Sequence, residues 1–185
     1  DDVESRGLGD VYKRQVSSTT TRATLFNISM VHTREHLMRA VYEGIGYNLR
    51  WILENYSRDY GFSCDNFRII GGGALDDTWM HIIADITGKC FSVVKDPRNA
   101  GAVGAAVVAL IGLGELPGFS AAKDFVQVER CYEPDPKNRR VYDHLFENYK
   151  RVYNSLKDTY IKANGQRFKG CLLYTSPSPR DSTSS

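Results

Sequence analysis

The sequence has few cysteines, no dominant charge and no long apolar run. Its four cysteines include no Cys-x-x-Cys pair, so they indicate no metal site, and a reducing cytoplasm fits them best. The formal net charge is only +2, which gives no indication of a nucleic-acid partner. No apolar run is long enough to span a membrane. We therefore expect a cytoplasmic protein that binds neither nucleic acid nor membrane.

The two ends of the chain are related through their coding DNA. One DNA sequence encodes Ser5–Gln15 on one strand and, read one base out of phase, Cys171–Asp181 on the complementary strand. This DNA resembles the transposase adapter used to prepare sequencing libraries, a kind of scar that is excluded before fold reasoning. We therefore expect residues 1–15 and 171–185 to be adapter-derived. Residues 16–170 are then the natural part, a fragment of a larger protein.

A glycine turn between a strand pattern and a helix pattern is the most informative stretch. Phe67–Ile70 has the β-branched and apolar character of a buried strand, and apolar residues recur at helical spacing over Trp79–Ile86. Between these patterns lie Gly71, Gly72 and Gly73, whose lack of a Cβ lets a ligand approach the backbone closely. The helix start adds unpaired N–H groups and the positive end of a dipole. The stretch therefore predicts an anion-binding turn.

The turn has two other interpretations. Glycine turns after strands are often plain tight turns, and the pattern alone leaves that alternative open. A dinucleotide-binding turn of the form Gly-x-Gly-x-x-Gly would need a glycine where this chain has Asp76. That third glycine permits close packing of helix on strand, so the match is only partial.

Three further segments are predicted to be helical. Thr33 is a suitable N-cap for a long helix, whose apolar stripe is formed by Leu37, Val41, Ile45, Leu49, Ile52, Leu53 and Tyr56. Within it, His36 and Glu43 are more typical of capping or packing groups than of catalysis. Residues 100–110 are almost all small or apolar, so we expect a buried helix. Residues 138–164 carry a Tyr-rich amphipathic stripe, which predicts a surface-packed helix.

Two more segments are predicted to be strands. Cys90–Val94 has the apolar character of a second buried strand, ended by a lysine, an aspartate and a proline. Phe125–Val128 is predicted to be a short edge strand. Strand and helix patterns therefore alternate along the chain.

Several of these motifs together resemble the C-terminal domain of the FGGY carbohydrate kinases, most closely the xylulose kinases of that family. Thr33–Gly44 is similar to the family signature around its long helix. Ile70–Ala74, followed by Trp79, is similar to the adenosine-side glycine turn. Asn99–Ala106 is similar to the small-residue helix near the interdomain hinge. The resemblance covers nearly all of the sequence from residue 16 to residue 164.

The resemblance implies an α/β fold of the actin-like, ribonuclease H-like ATPase type, with ATP and Mg²⁺ as cofactors. It implies that Gly71, Gly72, Gly73, Ala74 and Asp77 bind the nucleotide. Since an acid beside phosphates repels them unless a metal intervenes, Asp77 is expected to point toward sugar hydroxyls or to cap the helix. No residue is assigned as catalytic or metal-ligating, because the family's base is an aspartate upstream of this chain.

The implied activity is ATP-dependent phosphorylation of a sugar hydroxyl, in a pentulose such as xylulose, by the intact parent protein. This chain would carry the nucleotide side only and would be inactive alone. The alternative is a non-catalytic actin-like module in which a nucleotide or sugar switches a binding surface. An aspartate in the family's base motif, upstream of this chain, would distinguish the kinase from the non-catalytic module. The expected partners are ATP and a small sugar, and a homodimer stays open.

Overall fold

The structure is a computed structural model that describes residues 20–165. In chain order its helices and strands are α1 (Arg34–Tyr60), β1 (Asn66–Ile69), α2 (Asp77–Thr87), β2 (Cys90–Val94), α3 (Ala100–Gly112), β3 (Val128–Tyr132) and α4 (Pro136–Asn164). Short 3-10 helices lie at Gly72–Leu75 and Phe119–Asp124. The ranges predicted to be adapter-derived, 1–15 and 171–185, lie outside the described residues. Their origin, and the domain bounds 16–170, therefore stay predictions.

The described residues divide into two compact units, residues 31–149 and residues 20–30 with 150–165. In the described part of the second unit, the hydroxyls of Thr24 and Tyr160 share a hydrogen bond, and Asn164 Nδ2 donates to the Thr20 carbonyl oxygen at 2.9 Å. Residues 25–28 form no strand and bend at Asn27, which has a φ of 62°.

A sheet in the order β1-β2-β3 lies in the first unit. β1 and β2 are parallel, with Phe67 opposite Phe91, and β2 and β3 are antiparallel, with Phe91 opposite Tyr132. β2 has the predicted bounds, and β1 lies within one residue of its prediction. The prediction of a strand at Phe125–Val128 was wrong. Phe125 ends the second 3-10 helix, and pairing with β2 begins only at Val128.

Helix α2 forms the centre of the core. Its sheet-facing side chains lie in an apolar cluster of Ala74, Met80, Ile83, Ala84, Phe91, Val93 and Tyr132. Its other side contributes to a cluster of Tyr47, Ile82, Ile86, Tyr142 and Phe146 with α1 and α4. An α-helix buried on both sides explains why apolar residues are so dense in this segment. The predicted helix after the glycine turn is confirmed.

The buried face of α1 differs from the predicted stripe. Thr33 precedes the helix as predicted, but Val41 and Ile45 are 48% and 47% exposed. The buried face instead includes Gly46, Tyr47 and Arg50. A Cβ at position 46 would lie 2.8 Å from the Cδ1 of Ile86 in α2, so glycine lets the two helices approach closely here. Gly46 therefore sets which face of α1 packs.

Arg50 is held in this interface by several groups. Its Nη1 lies 2.8 Å from Asp143 Oδ1 and donates to the carbonyl oxygen of Ile86 at 3.2 Å. Its guanidinium carbon lies 4.3 Å from the centre of the Phe146 ring. A buried guanidinium is stabilised only when its donors are satisfied, so these partners allow a charge at a helix contact. This arginine joins α1, α2 and α4.

Helix α3 is exposed, contrary to the prediction that it is buried. Only Val107 is buried within Ala100–Gly112, and Val108 and the following Leu113 are 56% and 76% exposed. α3 packs against the 3-10 helix Phe119–Asp124, which is too short to cover a helix of 13 residues. Composition thus predicted an apolar helix without indicating what covers it. No helix within residues 20–165 has the length and apolarity needed to cross a membrane.

Candidate functional site

The glycine turn lies at the carboxyl edge of the parallel pair β1 and β2. The backbone N–H of Gly71, after β1, donates to the carbonyl oxygen of Pro97, after β2, at 2.7 Å. This bond joins the two loops that follow the parallel strands. In open α/β sheets, ligands bind outside the carboxyl ends of the strands. The turn therefore lies where such a fold offers a ligand site.

The three glycines of the turn have different structural reasons to be glycine. Gly71 has a φ of 99°, a conformation that side chains disfavour. A Cβ at Gly72 would meet no atom within 4 Å, and this residue is exposed. A Cβ at Gly73 would overlap the ring of Trp79. Gly71 therefore shapes the backbone, Gly73 makes room for packing, and Gly72 is the position that lies open to a ligand.

Ala74 has a core side chain. It is 1% exposed and belongs to the apolar cluster between α2 and the sheet. The turn around it is closed by backbone bonds from Ala74 to Gly71 and from Asp76 to Gly73, each 3.2 Å long. Any contact of Ala74 with a ligand must therefore come from its backbone.

Asp76 caps helix α2. Its Oδ1 accepts a bond from the backbone N–H of Trp79 at 3.0 Å, and its Oδ2 accepts one from the hydroxyl of Tyr42 at 3.1 Å. The expectation that Asp77 caps the helix was therefore wrong, because Asp76 precedes the first helical residue and already fills that position. A carboxylate at a helix N-terminus offsets the positive end of the dipole, so a bound anion there would meet a negative charge.

Tyr42 and Trp79 form an aromatic wall beside the turn. Their rings stack with centroids 5.6 Å apart and planes inclined by 24°. The indole Nε1 of Trp79 is buried without a hydrogen-bond partner among the described residues. Sequence reasoning placed Trp79 on the helix but did not foresee its contact with α1. The pairing depends on how α1 crosses α2, which sequence spacing does not give.

Asp77 is held by two side chains from β3. Its Oδ1 accepts bonds from the hydroxyl of Tyr132 and from Arg130 Nη1, the latter at 2.6 Å. The hydrogen bond from Tyr132, aided by the charge of Arg130, lowers the pKa of Asp77. His81 packs edge-on against Tyr132, with ring centroids 5.1 Å apart. Asp77 is therefore an ionised carboxylate fixed at the sheet edge, and its side chain is still 67% exposed.

Arg130 and Tyr132 were not among the site residues predicted from the sequence. Residues at i and i+2 of a strand share a face, so their spacing would have placed both side chains together. That signal was lost because the strand was predicted to end at Val128. A correct prediction of the third strand, Val128–Tyr132, would have placed a cation and a hydroxyl on one face of the sheet.

The described residues do not form a metal site. Within residues 20–165 no group of three or more His, Cys, Asp and Glu side chains is arranged to hold a metal ion. Asp77 is already paired with Arg130, and Asp76 caps the helix. Since Mg²⁺ in phosphate sites is held by one or two carboxylates together with the substrate phosphates, these residues do not fit it by themselves.

Residues 15–113 match the family model described as "FGGY family of carbohydrate kinases, C-terminal domain". This chain belongs to that family. It is 33% identical over 144 residues to the xylulose kinase of Bacillus subtilis (strain 168), a match that covers 77% of this chain and 28% of that protein. It is 29% identical over 138 residues to the L-xylulose/3-keto-L-gulonate kinase of Escherichia coli (strain K12), covering 74% and 27%.

A solved FGGY relative has the same fold. The crystal structure of xylulose kinase from Rhodospirillum rubrum superimposes with a TM-score of 0.65 at 31% identity, covering 74% of this chain and 28% of that one. The predicted α/β fold of the actin-like ATPase type is therefore confirmed. The chain spans less than a third of the length of these FGGY relatives.

Proposed function

We propose that the whole protein to which this chain belongs transfers the γ-phosphoryl group of ATP to a hydroxyl of a pentulose such as xylulose. This chain supplies the nucleotide side of that site. The observation that carries the proposal is the open backbone at Gly72, at the carboxyl edge of β1 and β2. Family membership supports a carbohydrate kinase, and the xylulose kinases among the relatives support a pentulose.

The charges around the turn favour its contact with the uncharged adenosine part of ATP. Asp76 already places a carboxylate at the start of α2, and Asp77 lies next to it. Two acids in succession disfavour a triphosphate directly above the helix N-terminus. The N–H of Gly71 is used by Pro97, so the open backbone donors begin at Gly72. We infer that adenosine lies along this turn and that the phosphates extend away from it.

The nucleotide-binding residues then have distinct roles. Gly71 and Gly73 shape the turn, Gly72 offers its backbone, and buried Ala74 anchors the turn to the core. In the described structure the two bonds that Asp77 accepts both go to Oδ1. Its Oδ2 is then the atom that accepts a hydroxyl of the nucleoside ribose. Arg130 and Tyr132 act as positioning residues that orient this carboxylate.

The remaining chemistry is assigned outside this chain. Phosphoryl transfer requires a base for the sugar hydroxyl and a divalent cation on the phosphates, which Mg²⁺ supplies in kinases generally. Within residues 20–165 no group of three or more His, Cys, Asp and Glu side chains could hold that cation. The proposed partners are ATP, Mg²⁺ and a small sugar, the proposed location is the cytoplasm, and a homodimer stays a prediction.

The test uses the complete protein, purified from its full gene. ADP release is measured with D-xylulose, L-xylulose, gluconate and glycerol, and ATP binding is measured separately by calorimetry. We expect turnover with a xylulose and saturable ATP binding. ATP binding without turnover on any sugar would favour the non-catalytic module. No ATP binding at all would mean that the glycine turn has only a structural role.

A further inference from the structure

Strands β2 and β3 bring together two cysteines that lie far apart in the chain. The sulfurs of Cys90 and Cys131 lie 2.8 Å apart, although 41 positions separate the residues. Ser92 is paired with Cys131 across the strands, so Cys90, two residues earlier on the same face, is the diagonal neighbour of Cys131. Cys131 is exposed and Cys90 is half-buried, and both are free thiols. The pair is therefore accessible from solvent.

We propose that Cys90 and Cys131 form a reversible redox pair, closed to an intramolecular disulfide by a low-molecular-weight disulfide such as oxidised glutathione. Disulfide sulfurs lie ~2.05 Å apart, so bonding requires the two sulfurs to move together by less than about 1 Å. The strand pairing already supplies the approach of the two backbones. This inference depends only on the sheet geometry and is independent of the proposed kinase function.

The reaction proceeds by two exchanges. The Cys131 thiolate attacks one sulfur of the small disulfide, forms a mixed disulfide and releases one small thiolate. The Cys90 thiolate then attacks the Cys131 sulfur, forms the Cys90–Cys131 bond and releases the second small thiolate. The protein loses two electrons and two protons, and the small disulfide gains them as two thiols. Excess reduced thiol reverses both steps.

The surroundings indicate the order of reaction. Cys131 is the more exposed thiol, so it meets the oxidant first. The hydrogen bond with the Cys131 thiol raises the pKa of Cys90 to about 11, so Cys90 is not the first of the two thiols to react at neutral pH. The hydroxyl of Ser92 donates to Asn66 Oδ1 at 3.0 Å and lies 3.8 Å from the Cys131 sulfur. Cys64 makes a separate hydrogen bond, with its thiol donating to the Asn66 carbonyl oxygen at 2.9 Å.

The position of the pair gives the cross-link a structural consequence. Cys131 lies between Arg130 and Tyr132, the two residues that bind Asp77. Successive side chains of a strand point to opposite faces, so the thiols and the Asp77 partners lie on opposite sides of β3. A disulfide would tie β3 to β2 where β3 orients those partners. Oxidation is therefore expected to make this part of the sheet more resistant to unfolding.

The experiment equilibrates the full chain in glutathione buffers of increasing oxidised fraction, followed by alkylation of free thiols and peptide mass spectrometry. We expect a linked Cys90–Cys131 peptide, loss of both thiols together, recovery with dithiothreitol and a higher unfolding midpoint when oxidised. Cys64→Ser serves as the matched control that keeps the pair, whereas Cys90→Ser and Cys131→Ser should abolish the midpoint shift.

Two results would overturn the proposal. One is undiminished alkylation of both Cys90 and Cys131 in the wild-type chain across the whole range of buffers. The other is a set of cross-links in which Cys64 or Cys171, or a second molecule, replaces the Cys90–Cys131 link. Both are read from the wild-type chain, so they do not depend on whether a cysteine variant folds.

Discussion

Gly73 provides the space that the ring of Trp79 occupies, since a Cβ at position 73 would overlap that ring. Trp79 in turn stacks on Tyr42 and packs against the core between α2 and the sheet. Gly73 is therefore explained by packing, whether or not a nucleotide binds. Gly72 has no such explanation, because a Cβ there would enter open space. Position 72 is the one that distinguishes a ligand turn from a plain tight turn.

Replacing Gly72 by valine in the complete protein should weaken ATP binding without unfolding the domain. A Cβ at this position would meet no heavy atom within 4 Å, so the expected effect comes from crowding the ligand. We expect at least a tenfold loss of ATP affinity, ~1.4 kcal/mol, with little change in sugar affinity. Calorimetric titration of each ligand measures this, with circular dichroism as the folding check.

Gly73→Val and Gly44→Ala are the matched comparisons for that experiment. Gly73→Val overpacks Trp79 and should destabilise the domain by roughly 1–3 kcal/mol, with losses for both ligands. Gly44→Ala also adds a Cβ where no atom lies within 4 Å, but on α1, and should leave both affinities unchanged. If Gly72→Val bound ATP as tightly as the wild type, the turn would have only a structural role.

The parts of the fold predicted correctly depend on local pattern. β2 and the helix after the glycine turn were placed well because a short apolar run and a 3.6-residue repeat report burial directly. The prediction of the buried face of α1 was wrong because Gly46 decides that face through the close approach of Ile86 in α2. The prediction that α3 is buried was wrong because apolar composition does not indicate which element packs on a helix. Both errors concern contacts between distant segments.

The same limit applies to the candidate site. Gly71–Gly73 could be found from sequence because a glycine run after a strand is a local signal. The roles of Asp76 and Asp77 could not be separated, because both are acids at a helix start. Only the fold shows that one caps the helix and that the other meets Arg130 and Tyr132 across the sheet.

Tyr132→Phe should raise the pKa of Asp77 toward the ordinary aspartate value of ~3.9. The hydrogen bond from Tyr132 is the largest cause of the lowered pKa, and the variant removes it while keeping the ring. The stabilisation from ionised Asp77 is present above the ordinary value and is lost as pH falls through the lowered one. The variant should therefore lose this contribution at higher pH than the wild type.

Titration of the Asp77 carboxyl carbon by NMR measures the change directly. Tyr60→Phe removes a hydroxyl from an exposed ring on α1 and is the control that should leave Asp77 unchanged. An Asp77 pKa that did not move in Tyr132→Phe would mean that Arg130 alone sets the charge of this carboxylate.

Gly44→Ala and Gly46→Ala should change stability in opposite directions. Both glycines lie in α1, where alanine is favoured by roughly 1 kcal/mol in a helix interior. Position 44 is open, so this gain should appear there. At position 46 the new Cβ would lie 2.8 Å from the Cδ1 of fully buried Ile86, which has little room to move. Urea unfolding of the two variants compares them, and equal stabilisation of both would refute the proposed helix contact.

Trimming the chain to residues 16–170 should leave its thermal unfolding midpoint unchanged. The reason is the complementary coding relation between Ser5–Gln15 and Cys171–Asp181, which predicts that neither end belongs to the natural protein. Calorimetric melting of the full and trimmed chains at equal concentration makes the comparison. A clear drop in the midpoint on trimming would show that an end contributes native contacts, which adapter-derived residues should not do.

The full 185-residue chain by itself should not phosphorylate xylulose. It spans less than a third of the length of the kinases that it resembles, and neither of the two acids that follow the glycine turn has the environment expected of a base. Asp76 caps a helix, and the pKa of Asp77 is lowered, which makes its carboxylate a weak proton acceptor. Coupled ADP-release assays should give background rates. Persistent turnover in a purified sample, abolished by Asp77→Asn, would instead identify Asp77 as the base and overturn the proposal that it only orients the nucleotide.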